Sequence, residues 1–434
     1  MRYFFILLGL VCLLSGTVRT ASADLVWTIT PEVRVQQEYT DNLFLDRDDR
    51  KSDWITVVGV GAELEARGRT GGMTLGYRPS YSMYYDNDEF DTLRHNADLE
   101  LWKDLRKDLR WSLSNSFERR EYTQDLSRYI EIEEEVLIDP EEILRRGLEP
   151  RSVNYARTRL DYQFGPRDRA YAQYGLRHEW NDNPGEEDSV IHMPRAGMTY
   201  WFSRLYGLEV AAGYTHGRYD ESENVNNWDG RTRLMRNFTR HLDGYLQYRH
   251  SHVRYSGDRS GYTLYEPSTG ISYRFARDGR LDVGLGYYYR DEEDNGSDDG
   301  VVFNTDIYKT WDQRRSSLTL RGGSGATQTF LGTDAQGFTI YYRGGAVYSY
   351  ALRRDLDWDI SADYRRSIYK DRAPERRDSF YRAGTGLSYM WTRSVSVGVN
   401  YDHRRVDSNI RAQEYYENRG TLSITWRPRP KRLN

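Results

Sequence analysis

Beyond its first few dozen residues the chain reads in twos. Val58, Val60, Ala62 and Leu64 alternate with Gly59, Gly61, Glu63 and Glu65, and the next segment sets Met73, Leu75, Tyr77, Tyr81 and Met83 in one row. Far downstream Phe338, Ile340, Tyr342, Ala346, Tyr348 and Tyr350 form another row, followed by Leu356, Trp358, Ile360, Ala362 and Tyr364. The rows opposite are polar: Arg157, Arg159, Asp161 and Gln163 in one segment, Asp357, Asp359, Ser361, Asp363 and Arg365 in another. Successive side chains of a strand point to opposite faces, so a period of two over many segments predicts strands whose two faces meet different solvents. A closed sheet with lipid outside and water inside satisfies every segment at once.

The connections between segments come in two alternating kinds. The tight kind shares a vocabulary: Phe164-Gly165-Pro166-Arg167, Phe202-Ser203-Arg204, Phe238-Thr239-Arg240, Phe275-Ala276-Arg277 and Trp391-Thr392-Arg393. An aromatic ends a strand and an Arg opens the turn, which fits a girdle at the periplasmic interface with guanidinium groups among the headgroups. The open kind is acidic and variable, at 40–51, 86–91, 181–189, 218–226, 291–300 and 370–378, and is assigned to the cell exterior. The fold expected is therefore all-β, a transmembrane antiparallel up-and-down barrel of about 18–20 strands with both termini periplasmic. One connection, 123–152, is longer. Within it Asp139-Pro140-Glu141-Glu142 leads to Gly147, an N-cap, a proline at the first helical position, acids in the first turn and a terminal glycine, so a two-turn helix is expected outside the barrel or at its mouth.

Composition supports the same picture from another side. An apolar fraction of 38% is too small for a large soluble core, yet 37 Tyr, 13 Phe and 11 Trp are too many for a disordered chain. Arg2 precedes an apolar run from Phe4 to Leu14, and small residues end at Ala21-Ser22-Ala23, which predicts a cleavable secretory signal over 1–23 with the cut between Ala23 and Asp24. The barrel is then expected over 24–426, and a short basic, proline-rich tail over 427–434. Cys12 lies mid-run inside the signal, a poor position for lipidation, and the remaining chain has no cysteine. Loss of Arg2 and Arg19 leaves a mature chain two charges more acidic than the −4 of the whole, which argues against nucleic acid as a partner. Outer-membrane lipids, lipopolysaccharide and the barrel assembly machinery are the partners such a chain implies.

Candidate chemistry is sparse. His250 and His252 lie two apart and share a strand face, but no third ligand stands near them, and no metal or cofactor is expected. His178 with Glu179 and Asp182 is the nearest approach to a hydrolytic set and lacks a serine in a strained turn, so no catalytic residues are assigned. The clusters Asp291-Glu292-Glu293-Asp294 and Asp298-Asp299 lack the spacing of a calcium loop. The interior rows are more informative: Arg157, Arg159, Asp161, Asp357, Asp359, Asp363 and Arg365 are the candidate lumen-lining residues. Guanidinium groups and tyrosines suit sugar or carboxylate contacts, while Arg–acid pairing that only stiffens the wall explains the rows equally well.

The stretch Glu38-Tyr39-Thr40-Asp41-Asn42-Leu43-Phe44, followed by Ser52-Asp53-Trp54 and the strand through Leu64, resembles the opening of an outer-membrane β-barrel porin family found with exopolysaccharide synthesis and export genes. The motif covers about thirty residues, and the overall pattern extends along nearly the whole mature chain. The resemblance implies an outer-membrane conduit with polysaccharide as its cargo and periplasmic export proteins as partners, and it carries over no catalytic residue. A general or sugar-selective diffusion porin and a structural, non-conducting barrel are the alternatives. The chain departs from barrels that end on an aromatic residue, because Arg427-Pro428-Arg429-Pro430-Lys431-Arg432-Leu433-Asn434 follows Trp426.

Overall fold

The computed structural model describes residues 25–121, 131–132, 135–136, 148–182, 187–292, 296–311, 315–329, 337–370 and 375–433. The expected signal and its cleavage site, and the helix expected at Asp139 to Gly147, lie outside the described residues. Twenty spans form one closed antiparallel sheet. They are β1 (Val26–Thr40), β2 (Asp53–Arg67), β3 (Gly71–Tyr77 and Ser80–Tyr84), β4 (Thr92–Arg106), β5 (Leu109–Arg120), β6 (Arg151–Gln163) and β7 (Arg169–Asn181). There follow β8 (Ser189–Tyr200), β9 (Tyr206–Tyr219), β10 (Val225–Asn237), β11 (Leu242–Tyr255), β12 (Tyr262–Ala276), β13 (Gly279–Glu292) and β14 (Gly296–Trp311). The last six are β15 (Ser316–Thr329), β16 (Gly337–Ala351), β17 (Leu356–Tyr369), β18 (Arg376–Met390), β19 (Val395–Ser408) and β20 (Tyr415–Trp426). Among the described residues there is no α-helix, and no helix crosses a membrane.

Each span pairs with the next in the chain, and β1 closes the ring on β20 from Val33 opposite Trp426 to Thr40 opposite Arg419. Closure leaves no edge strand, which is what a sheet in hydrocarbon requires, since no water is present there to satisfy open N–H and C=O groups. The tail is tied back as well: Lys431–Arg432 forms β21 against Thr28 and Ile29, extending the wall below the seam. In β3 the ladder breaks at Pro79, which has no N–H to donate, and the preceding Arg78 spans the gap with ion pairs to Glu63 at 3.2 Å and Asp98 at 2.6 Å.

The usual hydrophobic core is inverted. Val60, Leu246, Leu285 and Val301 are each 58% exposed or more, values that make sense only for side chains solvated by lipid. Among the described residues, buried apolar clusters occur only near the ends of the strands that carry the long connections.

Candidate functional site: the barrel interior

Side chains of strands far apart in a closed sheet meet only across its interior, and that identifies the inner face. Leu45, in the first long connection, packs with Phe380 of β18, Val406 of β19 and Tyr415 of β20. Leu43, two residues earlier, packs the other way, on Ile55 and Val57 of β2 and Tyr84 of β3, and Leu148 joins it there. The row containing Arg382, Asp402 and Arg419 shares the face of Phe380, Val406 and Tyr415 and is therefore inner. Its neighbours Tyr381, Tyr401 and Tyr416 alternate with it and are exposed.

On this inner face one arrangement recurs, four times within the strands and once more at a turn, where Trp201 covers Gly207 beside Arg167. A flat aromatic ring lies over a glycine of the adjoining strand, and a guanidinium stacks on the ring. Tyr171 lies where a Cβ on Gly197 would stand, 2.6 Å from the ring, with Arg159 4.2 Å from its centroid. Tyr245 covers Gly270 beside Arg233, Tyr341 covers Gly325 beside Arg365, and Trp102 covers Gly72 beside Arg110. A side chain at any of these four positions would meet the ring and force it away from the wall. The guanidinium gains a cation–π contact and holds its ring against the wall. Between these units the wall charges pair across strands: Arg195 with Asp229 at 2.9 Å, Arg231 with Glu209 at 2.5 Å and Arg382 with Asp402 at 2.8 Å.

The outer mouth is built by the opening motif. Asn42, fully buried, donates from Nδ2 to the Asp46 and Tyr416 carbonyls and accepts at Oδ1 from the Asp46 N–H, so one side chain closes the connection and ties it to β20. Asp41 accepts from the backbone N–H and the side-chain amide of Asn418, both at 2.7 Å. Leu45 adopts φ +53°, strained for a leucine, and is held by its burial against β18–β20. Asp53 accepts from the N–H groups of Tyr85 and Asp86 and from Asn87 Nδ2, fixing the turn after β3. Below this lid, Thr40 Oγ1 donates to Glu417, and Arg419 pairs with Glu417 at 2.7 Å and Glu38 at 2.9 Å, all of them buried. A cavity of about 550 Å³ opens beneath, bounded by Glu38, Arg34, Arg94, Glu121, Arg382 and Arg404 among others.

The candidate residues fall in distinct places. Arg159 pairs with Asp161 at 2.9 Å and donates to Gln173 at 3.2 Å, and Arg157 stands opposite Gly175. Arg365 is buried, donating to Ser367, while Asp363 stands opposite Gly345 and Arg382. Asp357 and Asp359 occupy the same row nearer the tight turns, opposite Ala351 and Ser349. Phe202, Phe238, Phe275 and Trp391, with Arg204, Arg240, Arg277 and Arg393, stand at tight turns on the end shared with β21, and their rings are 43% exposed or more. Composition alone missed the middle residue of these turns. Ser203, Thr239 and Thr392 each accept two backbone N–H groups from the residues two and three further on, so the hydroxyl fixes the turn between the aromatic and the next strand.

One expectation needs correction. Phe338 and Ile340, set in a lipid row by alternation, are buried in a cluster with Tyr262, Leu264 and Tyr288. The ladder between β14 and β15 runs only as far as Asn304 opposite Gly323, so the outer end of the β15–β16 pair is not held beside β14 in the wall, and there the Arg290 guanidinium stands 4.4 Å from the centroids of both Tyr262 and Phe338. The described end of the 123–152 connection, at Leu148, lies in the mouth against β2 and β3, one of the two positions expected for it. His250 and His252 share a face, as a period of two dictates, and that face is the outer one, beside Tyr248 and Thr263. Among the described residues no three His, Cys, Asp or Glu converge as metal ligands.

The model of the family described as "Putative beta-barrel porin 2" matches residues 247–428, a range that leaves out the opening motif. No curated protein matches the chain. Among solved structures, the siderophore receptor PirA of Acinetobacter baumannii is 9% identical with a TM-score of 0.54 over 92% of this chain and 80% of its own. A mutant of the ferric enterobactin receptor PfeA of Pseudomonas aeruginosa is 9% identical, TM-score 0.54, over 94% of this chain and 81% of its own. The apoprotein form of the FrpB iron transporter of Neisseria meningitidis is 9% identical, TM-score 0.53, over 94% and 82%. These likenesses are of fold alone, and the fold is that of an outer-membrane β-barrel of the porin and receptor kind.

Proposed function

We propose that the chain is a passive outer-membrane pore and that its cargo is exopolysaccharide leaving the cell. The observation that carries this reading is the fourfold unit of ring, glycine and guanidinium on the inner wall, at Trp102, Tyr171, Tyr245 and Tyr341. Rings laid flat along a passage offer the apolar faces of sugar rings a surface to slide on. The guanidinium beside each ring presents donors to hydroxyl and carboxylate groups. Sites that are several, similar and weak favour passage over retention. A barrel of twenty strands is also wide enough for an aqueous lumen, since barrels of 16–18 already leave one.

The test is single-channel conductance in planar bilayers with acidic polysaccharide added on the side of the tight turns. Transient blockades of the current are expected. Replacing Tyr171, Tyr245 and Tyr341 together by Ala should shorten their dwell time by about tenfold while the open current stays at least as large. A barrel without conductance, or blockades indifferent to the three rings, overturns the reading. A second reading, diffusion of small sugars inward, is favoured by the lid of Leu43, Leu45 and Leu148 across the mouth. It predicts uptake of monosaccharides by proteoliposomes and no blockade by long chains.

A further inference from the structure

Four of the eight histidines follow one order along the outer face. On β9 the outer face climbs through Val210, Ala212, Tyr214, His216 and Arg218; on β11 it climbs through Leu246, Tyr248, His250, His252 and Arg254; on β19 through Val399, Tyr401, His403 and Arg405. The order is the same each time: aliphatic, Tyr, His, Arg, toward the end of the long connections. Such a gradient tracks the passage from hydrocarbon through the interface to a layer that takes a cation.

On β8–β11 the three layers merge into one patch. His192 and His216 lie with ring centroids 6.3 Å apart. Asn226 of β10 stands opposite both His216 of β9 and Arg254 of β11, so the histidine and the guanidinium flank it at one height. Arg218 is one step further out, and Trp228, 62% exposed, lies below against Tyr214 at 4.5 Å. The histidines are oriented alike: Nδ1 of His192 meets Tyr174 OH at 2.6 Å, that of His216 meets Asn226 Oδ1 at 2.8 Å and that of His252 meets Thr263 Oγ1 at 3.0 Å. Nε2 is left without a protein partner among the described residues. Arg218 and Arg254 are exposed and have no acidic partner among them either, whereas Arg405 on β19 is neutralised by Asp407 at 2.8 Å. Asp220 opens the acidic connection that follows β9.

We propose that this patch is a binding site for one phosphorylated glycolipid of the outer leaflet. Its acyl chains lie on Leu246, Val210 and Trp228, and its phosphate sits between Arg218 and Arg254, with Nε2 of His252 as a further donor; His216, which donates from Nδ1 to Asn226 Oδ1, holds that amide beside Arg254. Two cations without counter-ions, placed directly above an aliphatic surface, fit a ligand that carries phosphate and acyl chains together. A free phosphate would leave the lower half of the patch unused.

The experiment uses the purified barrel in detergent, titrated with bisphosphorylated lipid A, with the same lipid stripped of phosphate, and with inorganic phosphate, and read by native mass spectrometry and thermal shift. Bisphosphorylated lipid A should bind at one site and raise the melting temperature, and the other two ligands should do neither. The variant Arg218→Gln/Arg254→Gln should bind it about tenfold more weakly, and His216→Gln/His252→Gln about threefold. Arg377→Gln, an exposed guanidinium on β18, should leave binding unchanged. Both pairs lie on the surface, and heat-modifiable gel mobility verifies that each variant is folded. Equal binding by the Arg pair, equal binding of the phosphate-free lipid, or an equal loss in Arg377→Gln overturns the site.

Discussion

Glu417 has no exposed surface and serves three neighbours at once, accepting from Thr40 and pairing with Arg419 and Arg404. A carboxylate placed so among buried guanidinium groups matters more for what its loss leaves behind than for its own attraction. Glu417→Gln keeps the shape and strands two cations with Glu38 as the remaining acid beside Arg419. It is expected to cost about 3 kcal/mol, read as a lower urea midpoint for unfolding from lipid vesicles. The tight turns offer the contrasting case of an exposed hydroxyl. Thr239 accepts from the N–H groups of His241 and Leu242 in a turn open to water, so Thr239→Ala should cost only about 1 kcal/mol in the same measurement. If the two losses came out equal, the buried network would not be a determinant of stability.

At the scale of elements, the first long connection and the glycine rows control the bore from opposite sides. Leu43 and Leu45 send one loop to both flanks of the β1–β20 seam. Replacing both by Ser removes the apolar anchors, each worth about 2 kcal/mol or more, while the ladders beneath keep their bonds. The expected result is a barrel that still folds and conducts at least twice the wild-type current. Gly270→Val acts in reverse: a Cβ there stands 2.5 Å from the Tyr245 hydroxyl, so the ring must swing into the lumen and the current should fall. The strands themselves were legible from the row of Val58, Val60, Ala62 and Leu64 onward, because lipid outside and water inside impose a strict period of two. The lid was not. Asp41, Asn42 and Leu43 read as an acidic outer loop, and only the carbonyl of Tyr416, remote in the chain, reveals why an amide stands at position 42. The rows predicted which residues face inward, but the stacking of Arg159 on Tyr171 over Gly197 joins three strands, and no single row contains it.

For the molecule as a whole, the decisive quantity is how the wall charges add up. The cross-strand partners Arg195 with Asp229, Arg231 with Glu209 and Arg382 with Asp402 cancel within a few ångströms of one another. At physiological ionic strength the screening length is about 8 Å, so an ion near the axis of a wide barrel feels pairs and not single charges. Weak selectivity between potassium and chloride should follow. Removing one sign from neighbouring pairs breaks that cancellation in a chosen direction. Arg195→Gln with Arg231→Gln leaves Asp229 and Glu209 uncompensated on adjoining strands and should move the reversal potential in a salt gradient toward cation preference. Asp229→Asn with Glu209→Gln leaves the two guanidinium groups and should move it toward anion preference by a similar amount. Both effects should shrink as salt is raised, because screening removes the field that the unpaired groups create. Shifts of the same sign in both variants, or none in either, would mean that the permeating ions do not pass this wall.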